Sequence, residues 1–88
     1  MSKSDRAGWL VYVLKCRNYW LYIGITNNIE KRLKDHERGT GSKFVWSRRP
    51  FELIKTIPCE NQTEARRLEV KLKKMDRKGK ISVLQLDV

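Results

Sequence analysis

The chain has 88 residues, 20 Lys+Arg against 10 Asp+Glu, a net charge of +10 and a pI near 10.0. That length allows one domain with a thin core, because a chain of this size buries only roughly 60–65% of its unfolded surface. It excludes a two-domain enzyme with a cofactor-binding half, and no run reaches the about 18 apolar residues that a membrane span needs.

Residues 1–8 are polar and have no apolar stretch, which predicts a flexible lead-in and a cytoplasmic protein, nucleoid-associated if bacterial or archaeal. Trp9–Leu14 is a continuous apolar, β-branched run and predicts a strand. Arg17-Asn18 offers a turn, with Asn18 able to take a positive φ. Leu21–Thr26 predicts a second strand, paired with the first as a hairpin. Alternation puts Leu10, Tyr12 and Leu14 on one face of the first strand, and Tyr22, Gly24 and Thr26 on one face of the second. Asn27 with Glu30 resembles a capping box, opening a helix that carries Ile29, Leu33 and His36 on one face and is ended by Gly39 and Gly41. Residues 42–49 suit another helical turn. Pro50–Ile57 predicts a third strand, closed by Pro58. Asn61 with Glu64 caps a further helix whose stripe is Ala65, Leu68, Leu72 and Met75, broken by Gly79. Residues 81–88 predict a short strand or tail, which bounds the domain at 9–80. The order β-β-α-β-α suits an α+β domain, a small antiparallel sheet of about three strands flanked by helices.

The positive charge is not confined to a tail. Residues 1–27 carry net +3, residues 28–50 net +4 and residues 60–80 net +4. A basic body suits an extended footprint on nucleic acid, although a merely soluble surface has the same composition. Cys16 and Cys59 with the single His36 are too few for a four-ligand zinc site, so two buried free thiols are expected. Gly39-Thr-Gly-Ser-Lys43 has glycines and a lysine but not the spacing of a phosphate-binding P-loop.

The hairpin is more specific. Val11-Tyr12 and Tyr22-Ile23-Gly24 stand side by side, followed by Thr26, Arg32, His36 and, on the last predicted helix, Glu69. This ordered set, with the later Gly-Ser-Lys-Phe and Arg-Arg-Pro, resembles the GIY-YIG endonuclease superfamily, and its small single-domain members in particular. The resemblance spans about residues 9–78. Leu10-Val11-Tyr12 stands where the family has Gly-Ile-Tyr; the tyrosine is kept, so the change bears on strand packing. The resemblance implies a DNA endonuclease that hydrolyses phosphodiester bonds with Mg²⁺ or Mn²⁺ in repair or recombination. Its DNA would be branched or single-stranded in some cases, with a protein partner as a further source of specificity and no membrane.

The resemblance also implies roles. Glu69 would hold the metal through one carboxylate, as suits a cation that keeps most of its waters. By spacing alone it reads first as a surface acid pairing with Arg66 or Lys73, and only the whole motif favours the metal. Arg32 would clamp the scissile phosphate with its guanidinium fork. Tyr12 would be the general base, with Tyr22 supporting phosphate or water. A free tyrosine is only about 0.1% ionised at pH 7, an uphill cost of roughly 4 kcal/mol, so metal-bound hydroxide stays open as the nucleophile. His36 either touches phosphate or relays a proton, or is a packed core histidine. Gly24, Thr26, Lys43, Arg48 and Arg49 are candidate nucleic-acid contacts. A non-catalytic or partner-dependent binding module on the same fold would share the charge and the sheet.

Overall fold

The computed structural model describes residues 8–87, so the expected lead-in falls, but for its last residue, outside the described residues. Strands β1 (Leu10–Lys15), β2 (Leu21–Thr26) and β3 (Glu52–Pro58) form an antiparallel sheet in the order β2-β1-β3. Helices α1 (Ile29–Arg38) and α2 (Lys43–Ser47) cover one face, and α3 (Gln62–Lys73) and α4 (Arg77–Leu84) the other. The α+β class and the β-β-α-β-α order therefore hold, with one short helix added after α1 and another after α3.

β1 is apolar from Leu10 to Leu14 because it is the middle strand, covered on both faces. Val11, Tyr12, Val13 and Leu14 are all fully buried. Alternation sends Tyr12 and Leu14 toward Val45, Ile29, Leu33 and Phe44 on the α1/α2 side. It sends Val11 and Val13 toward Ala65, Leu72 and Leu84 on the α3/α4 side. Each such fully buried aliphatic side chain contributes roughly 1.5–3 kcal/mol. The register places Tyr12 opposite Gly24 on β2 and opposite Thr56 on β3. Both cysteines are buried and free, as expected.

The connections follow local chemistry. The β1–β2 hairpin closes through a 3-10 turn at Arg17–Tyr19, where Asn18 takes φ 61 as its side chain allows. α1 is capped by Asn28, whose side chain accepts from the Lys31 N–H; the cap expected at Asn27 therefore sits one residue later. The difference arises upstream: the Thr26 hydroxyl accepts from the Asn28 N–H, a turn that carries the chain past Asn27 before the helix begins. Asn61 caps α3 as expected, accepting from the Glu64 N–H.

The end of the chain differs from its expected form. Residues 77–84 are helical, not a strand or tail, and Gly79 lies inside that helix. Asp76 is the cap, accepting from the Gly79 N–H at 2.8 Å. Gly79 therefore sits in the first turn, where a side-chain cap satisfies its donor and the cost of glycine is small. The break falls earlier, between Lys73 and Arg77. Leu84, 3% exposed, completes the α3/α4 core.

Candidate active site

The centre of the site is the Tyr12 hydroxyl, buried where β1 faces α1. The Asn28 cap sets the phase of α1, and residues four apart share a helix face, so Arg32 and His36 both point at the sheet. His36 Nε2 lies 2.8 Å from Tyr12 Oη, and Arg32 Nε donates to the same oxygen at 3.3 Å. With Tyr12 donating to His36, its oxygen accepts from Arg32 and keeps one lone pair free for a water. That arrangement puts the imidazole proton on Nδ1, a buried atom with no partner among the described residues.

Two glycines make this packing possible. A Cβ on Gly24 would lie 2.6 Å from Tyr12 Oη, and one on Gly41 would lie 2.6 Å from His36 Nδ1. Both distances are far inside van der Waals contact. Gly24 thus makes room for the tyrosine across the strand pair, and Gly41 for the far side of the imidazole. Gly41 was legible in sequence only as a helix terminator; its contact with His36 has no local signal.

Electrostatics hold the pair neutral. Burial pushes the Tyr12 phenol up to about 12, against a downward pull from the hydrogen bond to Arg32. Burial, and then the charge of Arg32, hold His36 below its ordinary value. Arg32 is pushed up, chiefly by its hydrogen bond to Tyr12.

Tyr22 stands beside the pair, its ring centroid 6.1 Å from Tyr12 and 5.4 Å from His36. α3 lies against β1 and β2 and brings up Glu69. The Glu69 carboxylate, 15% exposed, meets the Lys73 ammonium at 3.1 Å. That ammonium lies 5.9 Å from the Tyr22 ring centre, which ties the Glu69 pair to the tyrosines. Of the two partners that spacing offered Glu69, the structure pairs it with Lys73, at i,i+4. No group of three or more His, Cys, Asp or Glu that could hold a metal exists among the described residues. A single carboxylate fits a divalent cation such as Mg²⁺ that keeps its waters and shares oxygens with a phosphate. The ion would have to displace the Lys73 ammonium from Glu69.

The remaining candidates are placed differently. Gly24 is buried, and Thr26 is 8% exposed with its hydroxyl bonded to the Asn28 backbone. Lys43 is exposed at the start of α2. Arg48 stacks on Phe44, its guanidinium 4.0 Å from the ring centre, and Arg49 on Trp46 at 3.6 Å. These aromatic supports hold both guanidiniums at the surface in defined positions.

Among the described residues no helix is long and apolar enough to cross a membrane. The chain is 41% identical over 83 residues to a UPF0213 protein of Nitratidesulfovibrio vulgaris, covering 94% of this chain and 74% of that one. It is 42% identical over 74 residues to a UPF0213 protein of Clostridium perfringens, covering 84% of this chain and 80% of that one. A UPF0213 protein of Bacillus halodurans, solved by NMR in solution, is similar in fold with a TM-score of 0.58 at 32% identity. That match covers 88% of this chain and 82% of the other. The model of the GIY-YIG catalytic domain matches residues 8–82, almost all that the structure describes, and the chain belongs to the GIY-YIG family.

Proposed function

We propose that this chain is a metal-dependent DNA endonuclease that hydrolyses one phosphodiester bond by in-line attack of water, in DNA repair or recombination in the cytoplasm. The observation that carries this reading is the Tyr12 hydroxyl held between Arg32 and His36.

The chemistry follows from the charges. With Tyr12 at about 12, making a free phenolate at pH 7 costs roughly 7 kcal/mol, too much for a separate step. The hydrogen bond to His36 offers a route around that cost. As the water oxygen bonds to phosphorus, the water proton passes to Tyr12 Oη and the Tyr12 proton passes to His36 Nε2. The phosphorus–oxygen bond to the leaving group breaks, and that oxygen takes a proton from solvent. His36 must be neutral to accept, and its lowered value keeps it so at pH 7. Arg32, beside the attacking oxygen, meets the negative charge on the non-bridging phosphate oxygens with its planar fork. Glu69 would hold a divalent ion, which would supply further neutralisation of phosphate charge.

The test uses the purified chain on supercoiled, branched and single-stranded DNA at low salt, with Mg²⁺, Mn²⁺ or EDTA. Metal-dependent cutting that Tyr12→Phe and Glu69→Gln both lose supports the proposal. Undiminished cutting by either variant rules out this site. DNA that is bound but never cut, with every metal and substrate, replaces the nuclease by a binding module that works alone or through a partner.

A further inference from the structure

Outside the candidate site, the most exposed aromatic side chains sit together in the β1–β2 turn. Tyr19 is 59% exposed and Trp20 is 50% exposed. A thin core has every reason to bury such rings, and this one does not. The backbone that presents them is strained: Tyr19 takes φ 63, a left-handed conformation costing on the order of 1 kcal/mol for a residue with a bulky side chain. Arg77 of α4 pins the turn by donating to the Tyr19 carbonyl.

Trp20 is connected to the site by aromatic contacts. Its ring meets Phe44 edge-on at 6.0 Å, Phe44 meets Tyr22 at 5.9 Å, and Tyr22 meets Tyr12 at 6.1 Å. The Arg48 guanidinium sits 5.0 Å from the Trp20 ring centre. On one side of Trp20 is a recess of about 350 Å³ formed with Leu21, Phe44, Arg77 and Lys80. On the other is a second recess formed with Asn18, Tyr19 and Arg77. Among the described residues, every charged group lining the two is a cation.

We infer that Trp20 is a stacking platform for an unpaired DNA base flanking the scissile phosphate, with Arg48, Arg77 and Lys80 receiving the neighbouring phosphates. This rests on the nuclease reading and deepens it, since it makes the substrate a DNA with an unpaired segment beside the cut. The chemistry selects that occupant. An aromatic face with cations and no acids suits a base with its phosphate, and stacking is tolerant of sequence. A blunt duplex keeps its base faces stacked on one another and offers Trp20 nothing but backbone.

The test measures binding in EDTA by fluorescence anisotropy, with a labelled thymidine oligonucleotide and a labelled blunt duplex. Stacking is worth about 1–3 kcal/mol per base, so Trp20→Ala should weaken single-strand binding by about 5- to 160-fold. Duplex binding should stay within about twofold, and Trp20→Phe should recover most of the loss. Thermal melting of the variants checks that the half-exposed position has not cost the fold. Equal losses on both DNAs, no loss on the single strand, or a wild-type chain that binds no single strand would each overturn the inference. Cleavage is read separately. A wild-type chain that cuts while Trp20→Ala binds single strands normally overturns this inference alone. Trp20-dependent binding in a chain that never cuts overturns the nuclease and leaves the platform standing.

Discussion

Tyr12 and His36 are a hydrogen-bonded pair that burial drives in opposite directions, the phenol up and the imidazole down, and both shifts favour the neutral state. The consequence for stability has a definite sign. The unfolded chain takes up a proton at His36 near pH 6.5, whereas the folded chain resists it. Stability is therefore full above pH 6.5 and falls as pH drops through the lowered folded value. The urea midpoint should decline over that acid range, and His36→Gln should flatten the decline. Gln can still accept from Tyr12 but is no base, so the same variant should cut about 10²- to 10⁴-fold more slowly. A variant that keeps the wild-type rate would reduce His36 to a packing residue. Lys73 gives a second prediction. Its ammonium, 3.1 Å from Glu69, competes with any cation for that carboxylate. A half-exposed ion pair is worth about 0.3–1 kcal/mol, so Lys73→Ala should tighten Mn²⁺ binding about two- to fivefold in the absence of DNA. Titration followed by Mn²⁺ electron paramagnetic resonance reads this directly, without any cleavage.

At the scale of elements, the hairpin and the two long helices are legible because their signals are local. Leu10–Leu14 of β1 is a continuous apolar run, and Asn61 with Glu64 is a cap at the right spacing. The contact of Tyr12 with Arg32 and His36 is not local: it joins residues 20 and 24 apart and depends on the phase of α1. Composition and periodicity place these residues on faces, and only the resemblance to a family joins them into a site. α4 is not legible in the sequence, because Gly79 reads as a breaker unless Asp76 caps the turn that holds it. The correction has an energetic consequence. A tail would tolerate Leu84→Ala at little cost, whereas a core residue of this burial should lose about 2–5 kcal/mol. Against a total of about 4–13 kcal/mol for a chain this long, that loss is large, and a chemical denaturation curve will show it. β2 offers a companion test. Gly24→Ala drives a methyl to 2.6 Å from the Tyr12 hydroxyl, which is buried and bonded on two sides. Overpacking of that kind costs about 1–3 kcal/mol, or roughly 4–20 °C of melting temperature in a domain of this size.

For the molecule as a whole, the question is which of its 20 basic residues meet DNA. The sheet separates two charged surfaces, except that Arg77 and Lys80 of α4 reach Trp20 and Phe44 at the β2 edge, where they serve an unpaired segment and not a duplex. On one side α1 and α2 carry Arg32 and Lys43, with Arg48 and Arg49 just beyond, around the candidate site. On the other, the exposed Arg66 and Arg67 lie along α3. If net charge alone drew the protein to DNA, both surfaces would contribute. Counterion release distinguishes the two cases, because the slope of log K against log salt is about −0.9 for each phosphate neutralised on a duplex. Contacts confined to the first surface engage about four or five phosphates, a slope of about −4, well short of what the full charge would give. Lys43→Ala should make the slope shallower by about one unit and weaken all duplex sequences alike. Arg67→Ala, on the opposite layer, should leave slope and affinity unchanged although it removes the same charge. Equal effects of the two substitutions would mean that DNA is held by the field of the whole body, with no preferred face and no reason for a scissile phosphate to arrive at Tyr12.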